Sequence, residues 1–380
     1  IRLTDASGAT GPVSVTLTGR STATGGVVRF RTTQAGAASA SISLSLPISG
    51  ASVPFFVSGL FGRPSTANGD VTIEARAGTT LIGRVPVMVR IRKNANTLTV
   101  AERNRFIAAF AQLNNRGAGR FVDFRNMHTS AASPQAHGAP GFLPWHRAYL
   151  LDLERELQAI DPSVALPYWR FDQPAPNLFN LGFLGVSNSN GTVQFSSTNP
   201  LQFWVTDGVQ GNNRRPIFNT ATGRASGRTE AQTLALDTSF SGFRNMEFNP
   251  HGSAHTSFGG SISSIPTAAR DPLFFLLHAN VDRLWAKWQR QNNRFDPNVA
   301  ASFHNNGSNP IGHNLQDTMW PWNGITGPPR PPTAPGGGMA ASPSVSAPGT
   351  QPRVRSSLDY QGRVSLASRL GFDYDDVARA

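Results

Sequence analysis

The chain contains no cysteine, although it is 380 residues long. This absence excludes disulfides, thiolate metal ligands and a nucleophilic cysteine, so a transition-metal site would have to use imidazole or carboxylate groups. The compartment stays open, because exported bacterial proteins can also lack disulfides. The sequence begins at Ile1 rather than at a methionine, which is compatible with a removed leader and a secreted or periplasmic location.

Long apolar runs and acidic residues are also scarce. No stretch of about 18 consecutive apolar residues occurs, which excludes a membrane-spanning helix. There are 22 Asp and Glu against 34 Lys and Arg, and the formal net charge is +12. The arginines are dispersed, and no basic block is interleaved with aromatic residues as in many nucleic-acid-binding proteins. We therefore expect no nucleic-acid partner.

Residues 1–95 have the pattern of a small all-β domain. Side chains alternate between apolar and polar over residues 13–18, 41–46 and 71–75, and the pattern continues over 85–92. Short strands separated by Gly and Ser favour an antiparallel sandwich of immunoglobulin-like type. The segment contains no histidine and few acids, so we expect a structural or attachment role rather than catalysis.

The composition changes at residues 94–99, where a mainly helical domain is predicted to begin. Thr99 and Glu102 have the spacing of a capping box, followed by apolar residues at helical intervals. Further helices are predicted over roughly 121–129, 143–160 and 271–292.

The helical domain is expected to cover residues 96–325. Pro, Gly, Ala and Ser dominate residues 326–350, which predicts a flexible segment. Residues 351–380 return to a mixed composition, and we expect them to close the helical domain.

Six of the eight histidines form two groups of three, and no histidine precedes residue 128. His251 and His255 are spaced i, i+4, which would place both on one face of a helix. His278 lies in a long apolar helical pattern, where an imidazole without a partner would be costly. A glutamate-containing zinc motif is excluded, because Gly252 follows His251, and all-imidazole sites suit copper. The two groups are His128, His137 and His146, and His251, His255 and His278.

Two segments around these histidines resemble the copper-binding signatures of the tyrosinase/catechol oxidase family of type 3 copper proteins. Residues 141–150, with Leu-Glu at 153–154, are similar to the copper A signature, and residues 271–285 are similar to the copper B signature. Residues 372–374 (Phe-Asp-Tyr) resemble the aromatic-x-Tyr motif that closes the family's catalytic core. The resemblance covers residues 96–325 and this last motif, and leaves the β domain outside.

The resemblance implies a four-helix bundle whose histidines hold two copper ions, the first triad binding one and the second triad the other. The implied activity is oxidation of o-diphenols to o-quinones with dioxygen, with weaker ortho-hydroxylation of monophenols. The alternatives are a tyrosinase with substantial monophenolase activity, an o-aminophenol oxidase, and a haemocyanin-like oxygen carrier. The expected partners are a small phenol and dioxygen, and the oligomeric state is left open. Since all ligands lie downstream, we expect a chain starting near Asn94 to bind copper and oxidise catechol.

Three further residues are implied to shape the reaction. Glu247 resembles a glutamate that holds an ordered water near the coppers, although a surface acid would also fit the sequence. Gly252 occupies a position that is often asparagine in monophenol-hydroxylating members, which favours o-diphenols here. Ile265 stands where the family places a residue over the entrance, although a core isoleucine is equally compatible.

Several relatives carry a cysteine joined by a thioether to the second copper A histidine. This chain has no cysteine, so His137 must be held by packing or hydrogen bonding. We also expect no C-terminal shielding domain, and therefore an open site unless residues 326–350 cover it. His304 and His313 match no ligand motif and are expected to be surface or loop histidines.

Overall fold

The computed structural model describes residues 1–33, 36–129, 133–307, 312–324, 338–342 and 344–377. The chain separates into two compact units, Ile1–Ile91 and Arg92–Arg379. This division falls shortly before the boundary expected at residue 95. The reason is Arg92, whose fully buried side chain donates hydrogen bonds to Glu154 and Asp282 in the second unit.

The first unit contains two antiparallel sheets. One has four strands in the order β3-β1-β5-β6, and the other pairs β2 with β4. Alternate side chains of both sheets point into one apolar core, which includes Val15 and Leu17 of β1 and Phe30 of β2. The strands are β1 Val13–Ser21, β2 Val28–Arg31, β3 Ser41–Leu46, β4 Phe56–Gly59, β5 Val71–Ala77 and β6 Thr80–Val87.

The sequence prediction placed the last strand too late. β6 begins at Thr80, because a tight turn through Gly78, with a φ of 58°, returns the chain directly alongside β5. Beyond Val87 the chain leaves the sheet, and the Val89 N–H donates to the Ser65 hydroxyl. The strands predicted around β1, β3 and β5 are confirmed, and the immunoglobulin-like arrangement stays a prediction.

The second unit is mainly helical. The predicted capping box is present at the start of α1: Thr99 Oγ1 accepts from the Glu102 N–H at 3.2 Å, and the Glu102 carboxylate accepts from the Thr99 N–H at 2.9 Å. The helices are α1 Val100–Asn114, α2 Phe121–Met127, α3 Ser133–Ala136, α4 Phe142–Ile160, α5 Glu230–Leu234, α6 Phe240–Phe243, α7 Ser253–Thr256, α8 Ile265–Ala268 and α9 Leu273–Asn292.

Short strand pairs lie in the connections between these helices. They are β7 Val186–Ser187, β8 Val193–Gln194, β9 Val205–Thr206, β10 Val209–Gln210, β11 Arg214–Pro216 and β12 Phe258–Gly260. The four-helix bundle stays a prediction. Within the described parts of the chain, no helix combines the length and the apolar character needed to cross a membrane.

A buried network of charged side chains joins α4 to α9. Arg147 of α4 donates to Asp282 of α9 at 2.5 Å, and Arg92 binds Glu154 of α4 at 2.8 Å. Tyr374 donates its hydroxyl hydrogen to Asp282 at 2.5 Å. Removing one partner of such a buried pair leaves an uncompensated charge, so the network fixes how the two helices meet.

Part of the segment predicted to be flexible is packed against α4. Met339 is buried, and the Ala340 N–H donates to the Asp152 carboxylate at 2.7 Å. Arg155 donates to the carbonyls of Ala340 and Ala347. The prediction of flexibility is wrong for these residues. They form no helix or strand, but side chains of α4 bind their backbone groups and hold them in place. Residues 326–337, which belong to the segment that could cover the site, lie outside the described residues.

Candidate metal centre

The six histidines singled out in the sequence converge into two adjacent triads. Within each triad the possible ligand atoms all lie within 4.8 Å of one another. The triads meet where His146 of α4 stacks on His278 of α9, with ring centroids 4.1 Å apart and an angle of 11° between the planes. The first triad is His128, His137 and His146, and the second is His251, His255 and His278.

The three histidines of the first triad lie on separate segments of the chain. His128 ends α2, His137 follows α3 in a loop, and His146 lies in the first turns of α4. The ring of His137 lies 4.9 Å from that of His128 and 5.2 Å from that of His146, measured between centroids. Three short segments thus bring the three imidazoles together.

The second triad differs in one respect from the prediction. His251 and His255 do not share one continuous α-helix, because His251 lies in a π-helical turn, Phe248–Gly252, and α7 begins at Ser253. Pro250 has no N–H to donate, so regular α-helical hydrogen bonding cannot run through this turn. The two rings still meet, with centroids 4.7 Å apart.

Backbone carbonyls set the orientation of four imidazoles. A carbonyl only accepts, so each of these Nδ1 atoms carries the hydrogen, and each Nε2 keeps a lone pair directed into the centre. The bonds are His128 to Ile265 at 3.1 Å, His146 to Phe142 at 2.9 Å, His251 to Glu247 at 2.7 Å and His255 to Ile262 at 2.7 Å.

The lone pairs on the Nε2 atoms in the centre outnumber the N–H groups of these histidines that could donate to them. The Nε2 of His278 lies 3.3 Å from that of His251 and 3.2 Å from that of His255, and one N–H can point at only one of them. Within the part of the chain that the structure describes, His146 Nε2 and His278 Nδ1 are buried without a hydrogen-bond partner. Buried lone pairs that face one another are unfavourable, and a cation within each triad would satisfy them. The donor set therefore fits two metal ions.

Burial keeps the six imidazoles neutral. It lowers the pKa of His128 to about 3, of His137 to about 2 and of His255 to about 4, and neighbouring histidines lower the first two further. The pKa values of the other three are also well below their ordinary range, again mainly through burial. Neutral imidazole is the form that binds metal. Near neutral pH the histidines therefore need not lose a proton before a metal ion binds.

Two phenylalanines contact both triads and were not identified from the sequence. The ring centroid of Phe274 lies 4.6 Å from that of His128 and 4.3 Å from that of His278. Phe142 lies 4.8 Å from both His146 and His251. Both rings are fully buried and exclude water from the centre. In the sequence, both phenylalanines stand among other apolar residues of a predicted helix, and nothing distinguishes them from ordinary core residues.

Glu247 is buried beside the centre, which excludes the surface-acid interpretation, since its exposure is only 6%. Its Oε1 accepts from the Gly138 N–H at 2.6 Å, next to His137, while its Oε2 is buried and has no partner among the residues that the structure describes. Burial raises the pKa of Glu247 to about 7, against a lowering effect of the hydrogen bond from Gly138.

Gly252 and Ile265 both have space around them. Among the described residues, a Cβ built on Gly252 would meet only the Glu247 carbonyl, at 3.5 Å, an ordinary contact. Ile265 is 41% exposed and so is not a core residue. The Ile265 carbonyl also binds His128, a role that the sequence did not suggest.

The two remaining histidines behave differently. His304 is exposed, as expected. His313 lies in a loop, as expected, but it is fully buried and hydrogen-bonded to Gly141 and to Pro134. These partners are far from His313 in the sequence, so no local pattern could have revealed them.

Comparison with known proteins identifies the family. The profile described as the common central domain of tyrosinase matches residues 118–291. A tyrosinase of Streptomyces glaucescens is 34% identical over 265 residues, which cover 61% of this chain and 92% of that protein. The grixazone synthase of Streptomyces griseus is 31% identical over 263 residues, covering 53% and 85%. A G-type hemocyanin of Enteroctopus dofleini is 31% identical over 215 residues, covering 53% of this chain and 7% of that protein.

The chain belongs to the tyrosinase family of type 3 copper proteins. It has the family's helical copper domain, with some sheet at the N-terminus, and its Streptomyces relatives are tyrosinases. The two histidine triads could hold the two copper ions on which the family's chemistry depends.

Proposed function

We propose that this protein oxidises o-diphenols to o-quinones with dioxygen at a pair of copper ions. The observation that carries this proposal is the set of buried Nε2 lone pairs for which the described residues supply too few donors, and which two cations would satisfy. We assign the first ion to His128, His137 and His146, and the second to His251, His255 and His278.

The bound copper would supply electron transfer between the phenol and dioxygen. The balance is that two o-diphenols each lose two electrons and two protons, while one dioxygen takes up four of each and yields two waters. The chain itself orients the imidazoles through the four Nδ1–H bonds to carbonyls. Phe142 and Phe274 keep the centre dry, which strengthens electrostatic interactions there.

Glu247 and Gly252 together support a preference for o-diphenols. The unpartnered Oε2 of Glu247 can accept a hydrogen bond from a water or from the hydroxyl of an incoming phenol. Gly252 offers no side-chain amide to help polarise that water. An o-diphenol is more acidic than a monophenol and needs no hydroxylation, so it should depend less on such help. We therefore propose a preference for o-diphenols, with weaker hydroxylation of monophenols.

Ile265 is proposed to border the entrance. Its side chain is exposed while its carbonyl holds His128, so it stands between solvent and the first triad. An aliphatic side chain there would leave a wider mouth than an aromatic one. We also propose that residues 1–91 form an immunoglobulin-like sandwich without a catalytic role, and that four helices of the second unit form a bundle around the coppers.

Reversible oxygen binding is a second candidate function, because part of a hemocyanin is similar to this chain. A carrier would bind dioxygen at the same two ions without turning over a phenol. The alternatives within the enzyme class are substantial monophenolase activity and oxidation of o-aminophenols.

The test is to supply the purified protein with copper, count the bound metal and offer catechol, tyrosine and o-aminophenol under oxygen. We expect two coppers per chain and the fastest turnover on catechol. The matched control is His304→Ala, which removes an exposed histidine outside both triads and should leave copper and turnover unchanged. One copper per chain, or zinc retained with copper available, would contradict the metal assignment. Oxygen uptake without turnover would favour the carrier.

A further inference from the structure

His137 is the candidate ligand whose ring orientation is least explained by its own contacts. Its Nδ1, like that of His278, is buried and has no hydrogen-bond partner among the described residues, whereas His128, His146, His251 and His255 each donate from Nδ1 to a carbonyl. It also lies in a loop between α3 and α4 rather than in a helix. The placement of His137 therefore depends on what holds this loop.

His313 binds the loop on both sides of His137. Its Nε2–H donates to the Pro134 carbonyl at 2.6 Å, and its Nδ1 accepts from the Gly141 N–H at 3.1 Å. Pro134 precedes His137 within α3, and Gly141 stands directly before α4. One neutral, fully buried imidazole thus joins the segment that carries His137 to the helix that carries His146.

The backbone around His313 is itself fixed. The N–H groups of Gly312, His313 and Asn314 all donate to one oxygen of Asp317, at 2.9, 3.2 and 3.1 Å. The approach to Gly141 is close: a Cβ there would lie 2.3 Å from the Gly312 carbonyl and 2.6 Å from His313 Nδ1. Only a glycine at position 141 allows this contact, so the imidazole has one defined position.

We propose that His313 is a positioning residue for the first copper site, and that it holds the His137 loop in the conformation that completes this triad. This inference rests on the proposed copper centre. His313 does not touch a candidate ligand, and it acts through the backbone on either side of His137. Asp317 and Arg244 are the charged groups near it.

The experiment compares three variants of the full-length chain. His313→Leu removes both hydrogen bonds, His313→Asn can retain the acceptor near the Nδ1 position, and His313→Gln can retain a donor near the Nε2 position. The copper-loaded proteins are mixed with a copper chelator, and metal loss is followed over time. For His313→Leu we expect one of the two coppers to leave about 10- to 100-fold faster, as for other residues that support metal ligands. We expect the second copper to leave at the wild-type rate, and the Asn and Gln variants to be intermediate.

Two controls separate positioning from general destabilisation. His304→Leu changes an exposed histidine and should leave both rates unchanged. Phe303→Leu alters a buried ring that packs on Phe240. It should lower stability without removing a hydrogen bond between His313 and the His137 loop. Loss of both coppers together in His313→Leu, no change in either rate, or the same selective loss in Phe303→Leu would overturn the proposal.

A second measurement does not require copper. Amide hydrogen exchange of the metal-free protein should be faster in His313→Leu than in wild type, with the increase confined to residues 133–141. Unchanged exchange there would contradict the positioning role. If wild type binds no copper but this local increase occurs, the proposed function fails, while the role of His313 in holding the loop stands.

Discussion

Arg92 allows a quantitative prediction about where the second unit begins. Its guanidinium binds both carboxylate oxygens of Glu154, at 3.1 and 2.8 Å, and one oxygen of Asp282 at 3.0 Å. It also lies 3.8 Å from the ring centroid of Phe372. All of this is buried, so replacing Arg92 by Met leaves Glu154 without its charged partner. Breaking a buried ion pair in this way costs about 3–5 kcal/mol, or a factor of roughly 10² to 10⁴ in the unfolding equilibrium.

The assay is unfolding followed by tryptophan fluorescence. A chain with two units need not unfold in one step, so the signal should report one unit only. The tryptophans all lie after residue 144 and therefore report the second unit. A chain beginning at Arg90 should match the full-length midpoint, whereas one beginning at Asn94 should unfold as early as Arg92→Met. A stable, functional chain is therefore expected to start before Arg92 rather than near Asn94. A loss below about 1 kcal/mol for Arg92→Met would refute the reasoning, since it would mean that Glu154 is satisfied without Arg92.

Three other perturbations have defined outcomes. His278→Ala should remove the second copper and abolish oxidation, because this ring contacts His251 and His255 and stacks on His146; metal analysis with full copper and full activity would show that it is not a ligand. Gly252→Asn should raise the monophenol rate relative to the diphenol rate at equal copper loading, since a Cβ fits there with its nearest contact at 3.5 Å; an unchanged ratio would shift attention to Glu247 or Ile265. Burial lowers the pKa of His313 below its ordinary 6.5, so the folded state binds fewer protons than the unfolded state as pH falls below about 6.5. Stability should therefore decline from that pH downward, more steeply in wild type than in His313→Gln, and parallel pH profiles would contradict this.

The sequence alone predicted much of the site because the relevant signals are local. The residues that flank His146 and His278 form continuous helical patterns, and the capping box at Thr99 involves neighbours within one turn. The alternation in β1, β3 and β5 likewise depends on adjacent residues. The lack of cysteine, a property of composition alone, restricts the possible metal donors to imidazoles and carboxylates.

The tertiary structure decided which groups surround those histidines. The carbonyl of Ile265 orients His128, although the two residues are far apart in the chain. His313 reaches Pro134 and Gly141 across a similar separation, and Arg92 reaches Asp282 across a greater one. Backbone carbonyls and buried side chains of this kind carry no sequence pattern, because any residue type offers the carbonyl and only packing of the whole chain brings it to the imidazole. The candidate ligands could therefore be predicted from the sequence, and the contacts that hold them in place could not.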